Sequence, residues 1–528
     1  MTHQVPQEIQ RHSDVLVIGG SAAGLAAALQ LGRQRRSVIV VDASEPRNAP
    51  AAEMHGFLGR DGTPPSDLLD DGRAEVRTYG GEVLMGRVVT VTRSDDRFLA
   101  ELTGGHSVAA RAVVVATGLV DELPEIDGVA EQWGRGVLHC PFCHGDEIRD
   151  RRVVQIVTHP MGLHPTPLFR QLTGELTVVV HDDTGVDPER LDVLAAAGVE
   201  VIRSRVAGVR SDADGSISHV ELDTGVTIPA DAVVVMPRFS AATDALAGLG
   251  LDRTAHPSGI GDILAVDDVG STSVPGVWAA GNVTDPNQQV LQAAADGARV
   301  GAMVAVRLAE IDLADGARTS SNEEDWDRRY GGDRIWSGNP NGALVAEIDG
   351  GEPGTALDVG AGEGGDAIWL AEQGWTVTAS DISSVGLDHV RTEAERRGLD
   401  LRFRRCDANA PDAFGEDRFD LVSAHYASIP RTADGRAVAN ITGAVAPGGT
   451  LLVVGHDAEP MRHPVDPATT SRAFDPDAYV RVEDVAAALA DDPDWVIEVH
   501  ETRPRPPGSA SASHHADDAV LRARRVGA

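Results

Sequence analysis

Cys140 and Cys143 form a Cys-x-x-Cys pair in a chain that has only one other cysteine, Cys406. Such a pair in a chain otherwise nearly free of cysteine indicates a redox-active dithiol. His139 and His144 flank the two sulfurs, and either imidazole could take a thiol proton and stabilise the reactive thiolate. The alternative is half of a zinc site, which needs two more Cys or His ligands at suitable spacing. The sequence offers no second pair of that kind, so we expect no metal.

Charge and hydropathy narrow the classes of partner. The formal net charge is −35. The sequence has no lysine, which excludes lysine Schiff-base and P-loop chemistry. Polyanions would be repelled, so we expect no nucleic-acid partner. No run approaches the about 20 apolar residues of a membrane helix, and residues 1–13 lack the apolar core of a secretory signal. We therefore expect a cytoplasmic protein with no membrane partner, where an isolated Cys-x-x-Cys is more often catalytic than structural.

A glycine-rich turn follows the first predicted strand of the chain. Residues 14–18 predict a buried parallel strand, and a second predicted strand, 38–41, leads to an acidic residue. Glycine allows a tight turn and a close helix–strand approach, and the carboxylate can accept from a ribose hydroxyl, so the unit predicts a dinucleotide site. Serine replaces the usual second glycine and is small enough to be tolerated. The residues concerned are Gly19, Gly20, Ser21, Gly24 and Asp42.

Two later strand–turn segments, 112–118 and 277–283, complete a recognisable pattern. Together with the first turn they resemble the low-molecular-weight thioredoxin-reductase-like flavoproteins over about residues 13–310. The resemblance implies that FAD is bound by the first turn and by these segments. Asn282 stands where the family usually has Asp, and its amide can still hydrogen-bond the ribityl chain. The further FAD-binding residues that the resemblance implies are Arg47, Asn48, Thr117, Gly118, Gly281, Asn282 and Gln289.

The second nucleotide-binding unit of that family departs from its pattern here. The predicted strand 152–157 is followed by Thr158-His159-Pro160-Met161-Gly162, without the early glycine, so a Cβ stands where a pyrophosphate should approach. The next predicted strand ends in His181-Asp182-Asp183, where NADPH-using relatives carry arginines. We therefore expect no NADPH use, and two options stay open: NADH binding, or loss of nicotinamide binding altogether.

The Cys-Pro-Phe-Cys-His pattern resembles the branch typified by the gliotoxin and holomycin dithiol oxidases, because reductase relatives usually carry Asp where His144 stands. That resemblance implies oxidation of a small dithiol to a disulfide, with electrons passed to oxygen. It also implies that Cys143 faces the flavin, that Cys140 faces the substrate, and that His144 or His139 is the base. Alternatives are an NAD(P)H-dependent reductase acting on a thioredoxin-like protein, and a redox sensor that gates a second domain. Family analogy adds a homodimer as an option.

A second glycine-rich turn follows the predicted strand 355–359, and the next predicted strand, 376–380, again ends at an acidic residue. An acidic residue shortly before the glycines is typical of class I S-adenosylmethionine methyltransferases. The segment of about residues 325–525 resembles members of this family of the thiopurine and tellurite type. The resemblance implies that Asp358 contacts water or the methionine amino group, Asp381 the ribose and Asp407 the adenine. The implied binding residues are Asp358, Gly360, Gly362, Gly364, Asp381, Asp407 and Trp336 of a lid segment. The candidates for the substrate pocket are His425, Tyr426 and His456.

The predicted fold class is α/β: a two-domain FAD/NAD(P)-binding Rossmann-like flavoprotein, then a doubly wound Rossmann-like methyltransferase domain. We place the FAD-binding domain at 13–118 and 239–309, and between them an NAD(P)-binding-like domain with the cysteine pair at 119–238. A polar linker, 310–324, precedes the methyltransferase domain, 325–528, whose last strand, 519–526, we expect at a sheet edge. The expected protein is bifunctional, with one half setting the dithiol/disulfide state of a small molecule and the other S-methylating free thiols.

Overall fold

The computed structural model describes most of the chain. Asp182 and Asp183, expected at the second nucleotide site, lie outside the described residues, so that expectation stays a prediction. The described residues are 10–94, 97–181, 185–315, 321–332, 334–348, 351–459, 466, 469–470, 475–505 and 517–527.

The first sheet contains parallel strands that are buried on both faces, which explains their unbroken runs of valine, leucine and isoleucine. Its elements in chain order are β1 (Gln10–Ile18), α1 (Ala22–Arg33), β2 (Val38–Asp42), α2 (Pro65–Thr78), β3 (Glu82–Met85), β4 (Val88–Ser94), β5 (Arg97–Leu102) and β6 (Ser107–Val115). The strand order is β3-β2-β1-β6-β5-β4, and β3 is an outermost strand.

The second sheet carries the cysteine pair. It is parallel, in the order β11-β10-β9-β15-β8, with a three-stranded antiparallel sheet, β12-β13-β14, beside it. The elements of this region are β7 (Leu119–Glu122), α3 (Val129–Gln132), β8 (Val137–Leu138), α4 (Pro141–His144), β9 (Val153–Val157), α5 (Thr166–Leu172), β10 (Leu176–Val180), α6 (Pro188–Ala196), β11 (Glu200–Arg203), β12 (Val206–Ser211), β13 (Ile217–Leu222), β14 (Thr227–Pro229) and β15 (Ala232–Val235).

The chain then returns to the first sheet, where its last strand joins β6 in parallel. The long helix that follows packs on α1 through small residues: a Cβ at Gly297 would lie 2.0 Å from the carbonyl oxygen of Ala23. This helix extends into the segment 310–324 that we predicted as a linker, so the start of that segment is helical. The returning elements are β16 (Arg238–Ala241), β17 (Arg253–Ala255), β18 (Asp262–Leu264), β19 (Val277–Ala279) and α7 (Val290–Asp315).

A third sheet, of seven strands, forms the rest of the chain. Its elements are α8 (Ser321–Tyr330), α9 (Gly342–Ile348), β20 (Thr355–Val359), α10 (Gly365–Glu372), β21 (Thr376–Asp381), α11 (Ser384–Arg397), β22 (Arg402–Arg405), β23 (Phe419–His425), α12 (Arg436–Gly443), β24 (Val445–His456), α13 (Val482–Leu489), β25 (Trp495–Pro504) and β26 (Asp517–Arg525). The order is β22-β21-β20-β23-β24-β26-β25. The expected edge position of the last strand is wrong: β26 lies between β24 and β25 and pairs with both in the antiparallel sense.

Side chains of the third-sheet region dock on β3 and α2 of the first. Asp475, which is 2% exposed, accepts from Arg77 Nε at 2.7 Å and from the backbone N–H of Val83 at 2.9 Å. The Tyr479 hydroxyl donates to Glu82 at 2.8 Å. The two halves of the chain therefore share buried, charge-assisted hydrogen bonds.

Candidate functional site

The short helix α4 places the cysteine pair at its first turn. Cys140 is the N-cap, Pro141 is the first helical residue, and Cys140 and Cys143 form a disulfide with Cα atoms 5.3 Å apart. Proline suits this position because its missing N–H would have no helical partner there. Phe142, between the two cysteines, is 65% exposed, so the disulfide lies close to solvent.

His144 sits beside the disulfide with a ring nitrogen available. Its Nδ1 is buried and has no hydrogen-bond partner in the described part of the chain. Burial lowers the pKa of His144 below its usual range, although the nearby Glu147 carboxylate opposes the shift. Glu147 in turn contacts His55 Nε2 at 2.8 Å. A neutral imidazole can accept a thiol proton at its unprotonated nitrogen, so His144 stays the predicted base.

His139 has a packing environment instead. Its ring stacks on Trp133 at 5.4 Å between centroids and meets the edge of Phe239 at 6.4 Å. Burial, with a smaller contribution from the Arg47 guanidinium, lowers the pKa of His139 to about 3. A base that weak takes a thiol proton poorly near neutral pH, so His139 is the less suitable of the two predicted bases.

One cavity of about 1460 Å³ brings the disulfide and the first glycine turn together. Gly24 and Gly281 are not on its wall and serve packing: a Cβ would lie 1.8 Å from the Gly19 carbonyl oxygen at Gly24, and 2.8 Å from the Ala23 Cβ at Gly281. The predicted FAD-binding residues that line the cavity are Gly19, Gly20, Ser21, Asp42, Arg47, Asn48, Thr117, Gly118, Asn282 and Gln289.

Buried polar atoms at this cavity fit the FAD that the sequence predicts. Thr117 Oγ1 and Gln288 Oε1 are buried and have no partner among the residues that the structure describes. Asn282 Nδ2 donates to the carbonyl oxygens of Asp285 at 3.1 Å and Gln288 at 2.9 Å, which leaves its Oδ1 for a ligand. These donor bonds explain why Asn replaces the usual Asp: a carboxylate would face two carbonyl oxygens.

The acidic end of β2 has a partner that the sequence did not reveal. Asp42 Oδ2 accepts from Arg73 of α2 at 2.7 Å, and its Oδ1 accepts from the Ser44 N–H at 2.8 Å. Arg73 Nε also donates to Oδ2, at 3.1 Å, so Oδ1 is the oxygen that keeps a lone pair and can still accept from a ribose hydroxyl. The arginine holds the carboxylate at the cavity wall.

The loop after β9 is closed upon itself. A 3-10 turn, Pro160–Leu163, follows the strand, and its proline has no N–H to offer a phosphate. Gln155, which is buried, donates to the Gly162 carbonyl oxygen, and His159 Nε2 lies 3.2 Å from the Met236 carbonyl oxygen. The helix that should present free N–H groups, α5, is seven residues long. This geometry agrees with the predicted departure from the pyrophosphate-binding pattern.

The glycine turn after β20 adopts the backbone that its glycines permit. Gly360, Gly362 and Gly364 have φ angles of +73°, +53° and +86°, where a Cβ is strained. The Gly362 N–H donates to Asp381 Oδ2 at 2.8 Å, so the predicted ribose ligand is fixed beside the turn. Asp407, the predicted adenine contact, is exposed and accepts from the Asn409 N–H at 2.8 Å.

The predicted lid segment is tied to the same turn. The backbone N–H groups of Ile335 and Trp336 donate to Glu363 Oε2 at 3.1 and 2.8 Å, and this carboxylate is 1% exposed. The Trp336 residue itself is 54% exposed. A Cβ built at Gly362 would lie 3.7 Å from the Trp336 Nε1 atom, so the indole lies close to the glycine turn.

Asp358 of β20, Asp366 in the first turn of α10 and His425 at the end of β23 form a largely buried group. Asp358 is 2% exposed, and its Oδ2 has no partner among the described residues. Burial, and then the charge of Asp366, raises the pKa of Asp358 to about 7. His425 Nδ1 lies 2.7 Å from Asp366 Oδ2. An orphaned carboxylate beside a glycine turn fits the ammonium group of S-adenosylmethionine, with Asp358 as its acceptor.

The predicted substrate-pocket residues fall into two groups. His425 turns to Asp366, whereas Tyr426 and His456 pack against each other with ring centroids 4.5 Å apart. The Tyr426 hydroxyl donates to Asp518 at 2.7 Å. The sequence did signal Asp366, an acid in the first turn of the helix after the glycines, but it carried no signal for Asp518.

Comparison with known proteins agrees with this division of the chain. The pyridine nucleotide-disulphide oxidoreductase family matches residues 13–298, and a methyltransferase domain family matches residues 356–449. Thioredoxin reductase sirT of Leptosphaeria maculans is 30% identical over 319 residues, which cover 57% of this chain and 96% of that protein. A thioredoxin reductase of Gibberella zeae is 29% identical and covers 56% of this chain and 97% of its own length.

Two solved structures resemble the chain in the same way. The crystal structure of HlmI is 40% identical, with a TM-score of 0.54, and the match covers 61% of this chain and 98% of that one. An oxidoreductase from Agrobacterium tumefaciens is 34% identical, with a TM-score of 0.53, and the match covers 57% and 99%.

The chain belongs to the pyridine nucleotide-disulphide oxidoreductase family, and it carries a thioredoxin-reductase-like oxidoreductase domain fused to a methyltransferase domain. Both domains are enzymatic; the first family implies FAD and the second S-adenosylmethionine. The predicted α/β fold class and the two-enzyme architecture are confirmed. Within the described residues, no helix has the length and apolar character needed to span a membrane.

Proposed function

We propose that the oxidoreductase half oxidises a small dithiol to a disulfide through Cys140 and Cys143, and that the methyltransferase half methylates the sulfur of small thiols. One observation carries the redox part: the cysteine pair lies on the wall of the cavity that also contains the predicted FAD-binding residues. A small molecule can reach the sulfurs from the solvent side, beside the exposed Phe142.

The residues of the chain suit a thiol–disulfide exchange. A substrate thiolate attacks the Cys140 sulfur, the Cys140–Cys143 bond breaks, and Cys143 leaves as the thiolate. The second thiol of the substrate then attacks the substrate sulfur of the mixed disulfide, and Cys140 leaves as a thiolate. His144 takes the proton of the attacking thiol at Nδ1. FAD held by the residues of this cavity would supply the two-electron acceptor needed to re-form the Cys140–Cys143 disulfide, with oxygen as the final acceptor.

A second candidate is an NADH-dependent reductase that acts on a thioredoxin-like protein. The names of the relatives, thioredoxin reductases, favour this alternative. The loop after β9 counts against it, because Pro160 offers no N–H and His159 and Gln155 close the loop from within. NADPH is the less favoured of the two nicotinamides, because the sequence His181-Asp182-Asp183 that follows β10 carries no arginine.

The two candidates differ in what reduces the flavin. The test is anaerobic stopped-flow reduction of the holoprotein by NADH, NADPH and dithiothreitol, side by side. The proposal expects rapid bleaching with dithiothreitol only, and its loss in Cys143→Ser. Oxygen consumption driven by the dithiol should follow. Faster bleaching by a nicotinamide than by the dithiol would contradict the proposal and support the reductase.

The methyltransferase part is tested with S-adenosylmethionine and a panel of small mono- and dithiols, read by mass spectrometry. Methylated sulfur is expected, since both halves would then act on the same kind of group. Absence of methylated sulfur while the flavin half turns over would contradict this part alone. Methyl transfer that depends on the Cys140–Cys143 state, without redox turnover, would instead indicate a sensor.

A further inference from the structure

His425 stands at the ligand-binding edge of the methyltransferase sheet. It is the last residue of β23, which runs parallel to β20 with Ser423 opposite Asp358. The carboxyl ends of parallel strands meet at one edge, and ligands of open α/β sheets bind there. Tyr426, the next residue, has a φ of +50°, a strained value for a non-glycine residue, so the chain turns sharply just after the histidine.

Asp366 fixes the orientation of this imidazole. Its Oδ2 lies 2.7 Å from His425 Nδ1, and its Oδ1 accepts from the Asn341 N–H at 2.6 Å. Burial alone would raise the pKa of Asp366, but the contacts with His425 and Asn341 outweigh burial and lower it. An ionised carboxylate can only accept, so Nδ1 is the nitrogen that donates to Asp366, and in the neutral tautomer this leaves Nε2 without a proton.

The opposite ring nitrogen has nothing to bond. The His425 side chain is 1% exposed, and Nε2 has no hydrogen-bond partner among the residues the structure describes. A buried polar atom left unpaired is costly and needs an explanation. Asp358 Oδ2, at the same sheet edge, is orphaned too. The two atoms differ in kind, because the carboxylate suits an ammonium group whereas the bare nitrogen suits an acidic hydrogen.

We propose that His425 is the general base of methyl transfer, that Asp366 is its positioning residue, and that the acceptor is a small thiol that arrives protonated. The acceptor class rests on the proposed S-methylation. The acceptor sulfur forms a bond to the methyl carbon, and the bond from that carbon to the sulfonium breaks with its electron pair left on the donor sulfur. The S–H proton moves to Nε2 and is then lost to water.

Acceptors of different acidity test this role. The protein is assayed with 2-mercaptoethanol, an alkyl thiol that is protonated at neutral pH, and with 5-thio-2-nitrobenzoate, an aryl thiol that is already ionised. In His425→Asn, kcat should fall about 100-fold or more with the alkyl thiol and less than about fivefold with the aryl thiol, because only the first needs a base. The affinity for S-adenosylmethionine, from calorimetry, should not change.

A matched control is His500→Asn, which changes an exposed histidine on β25 and should behave as the wild type with both thiols. Equal losses of kcat with the two thiols would overturn the assignment. So would weaker binding of S-adenosylmethionine with kcat unchanged, because His425 would then be a donor-binding residue.

A second measurement does not depend on the acceptor. ¹⁵N NMR of the full chain with S-adenosylhomocysteine bound, assigned by the signal lost in His425→Asn, should show the ring proton on Nδ1 and a bare Nε2. Asp366→Asn should move the proton towards Nε2. A wild-type ring with a proton on Nε2 overturns the base. If neither thiol is methylated, the proposed S-methylation is refuted. The position of the ring proton on His425 still tests whether this residue can act as a base.

Discussion

The loops after β1 and β9 start from similar buried parallel strands and end differently. After β1, glycines let the backbone turn tightly below the cavity that holds the cysteine pair, and a Cβ at Gly19 would lie 2.3 Å from the Ala116 carbonyl oxygen. At β9, the side chains of Gln155 in the strand and His159 in the loop after it contact the backbone carbonyl oxygens of Gly162 and Met236. The same strand–turn–helix unit is therefore open in one case and closed in the other.

The difference between the two loops bears on which molecule reduces the flavin. Under the proposed function, the dithiol substrate and not a nicotinamide supplies the reducing equivalents. The Cys140–Cys143 disulfide lines the cavity that also contains the predicted FAD-binding residues.

The largest effect is expected from a glycine substitution in the open turn. Gly19→Ala adds a Cβ that clashes with backbone and has a φ of +111°, so flavin occupancy after purification should fall to a few per cent or less, roughly a 100-fold loss of affinity. The measurement is flavin absorbance per chain. Unchanged circular dichroism and S-adenosylmethionine binding would exclude simple misfolding.

Gly162→Ala is the matched change in the closed loop. Its Cβ would lie 3.2 Å from the Val157 Cγ1, a tight contact with a side chain, so flavin content and dithiol-driven oxygen consumption should stay near those of the wild type. If the two alanine variants lose flavin or activity to the same extent, the contrast between the loops does not hold.

A smaller effect should follow from Asn282→Asp, which restores the residue usual in the family. The new carboxylate would face the carbonyl oxygens of Asp285 and Gln288, which now accept from the Asn282 amide. Loss of those bonds should weaken FAD binding by about 1–3 kcal/mol, since buried acceptors are left unpaired. Titration of the apoprotein with FAD measures this, and tighter binding would contradict the donor role of Asn282.

The smallest predicted effect extends the comparison to the open turn after β20. The pKa of Asp358 is about 7, raised first by burial, and only its ionised form attracts an ammonium group strongly. The affinity for S-adenosylmethionine should therefore rise with pH through this value, with about a tenfold loss for each unit below it. Calorimetry at pH 6, 7 and 8 tests this, and Asp358→Asn should bind weakly without that slope. A steep slope in the variant would assign the titration elsewhere.

Local patterns in the sequence predicted much of the site. Strands that end at Asp42 or Asp381, with glycine turns before them, are read within some thirty residues of chain. The pairing of His425 with Asp366 spans 59 positions, and the arginine bound to Asp42 comes from a helix 31 positions away. Such contacts depend on tertiary packing, and hydrophobic periodicity carries no information about them. The predicted edge position of β26 was wrong for the same reason, because the neighbours of a strand in a sheet depend on the packing of the whole domain.

The docking of Asp475 on β3 bears on how the fusion can be taken apart. An outermost strand presents unpaired backbone groups, which other chains can recruit into mixed sheets. The Asp475 carboxylate occupies one such group, the Val83 N–H, and neutralises Arg77 beside it. Cutting the chain between its two halves would expose this edge of β3 to solvent and would leave Arg77 without its counter-ion, Asp475. The flavoprotein fragment alone should therefore aggregate more readily than the intact fusion. The methyltransferase half then also protects the edge of the first sheet from intermolecular pairing.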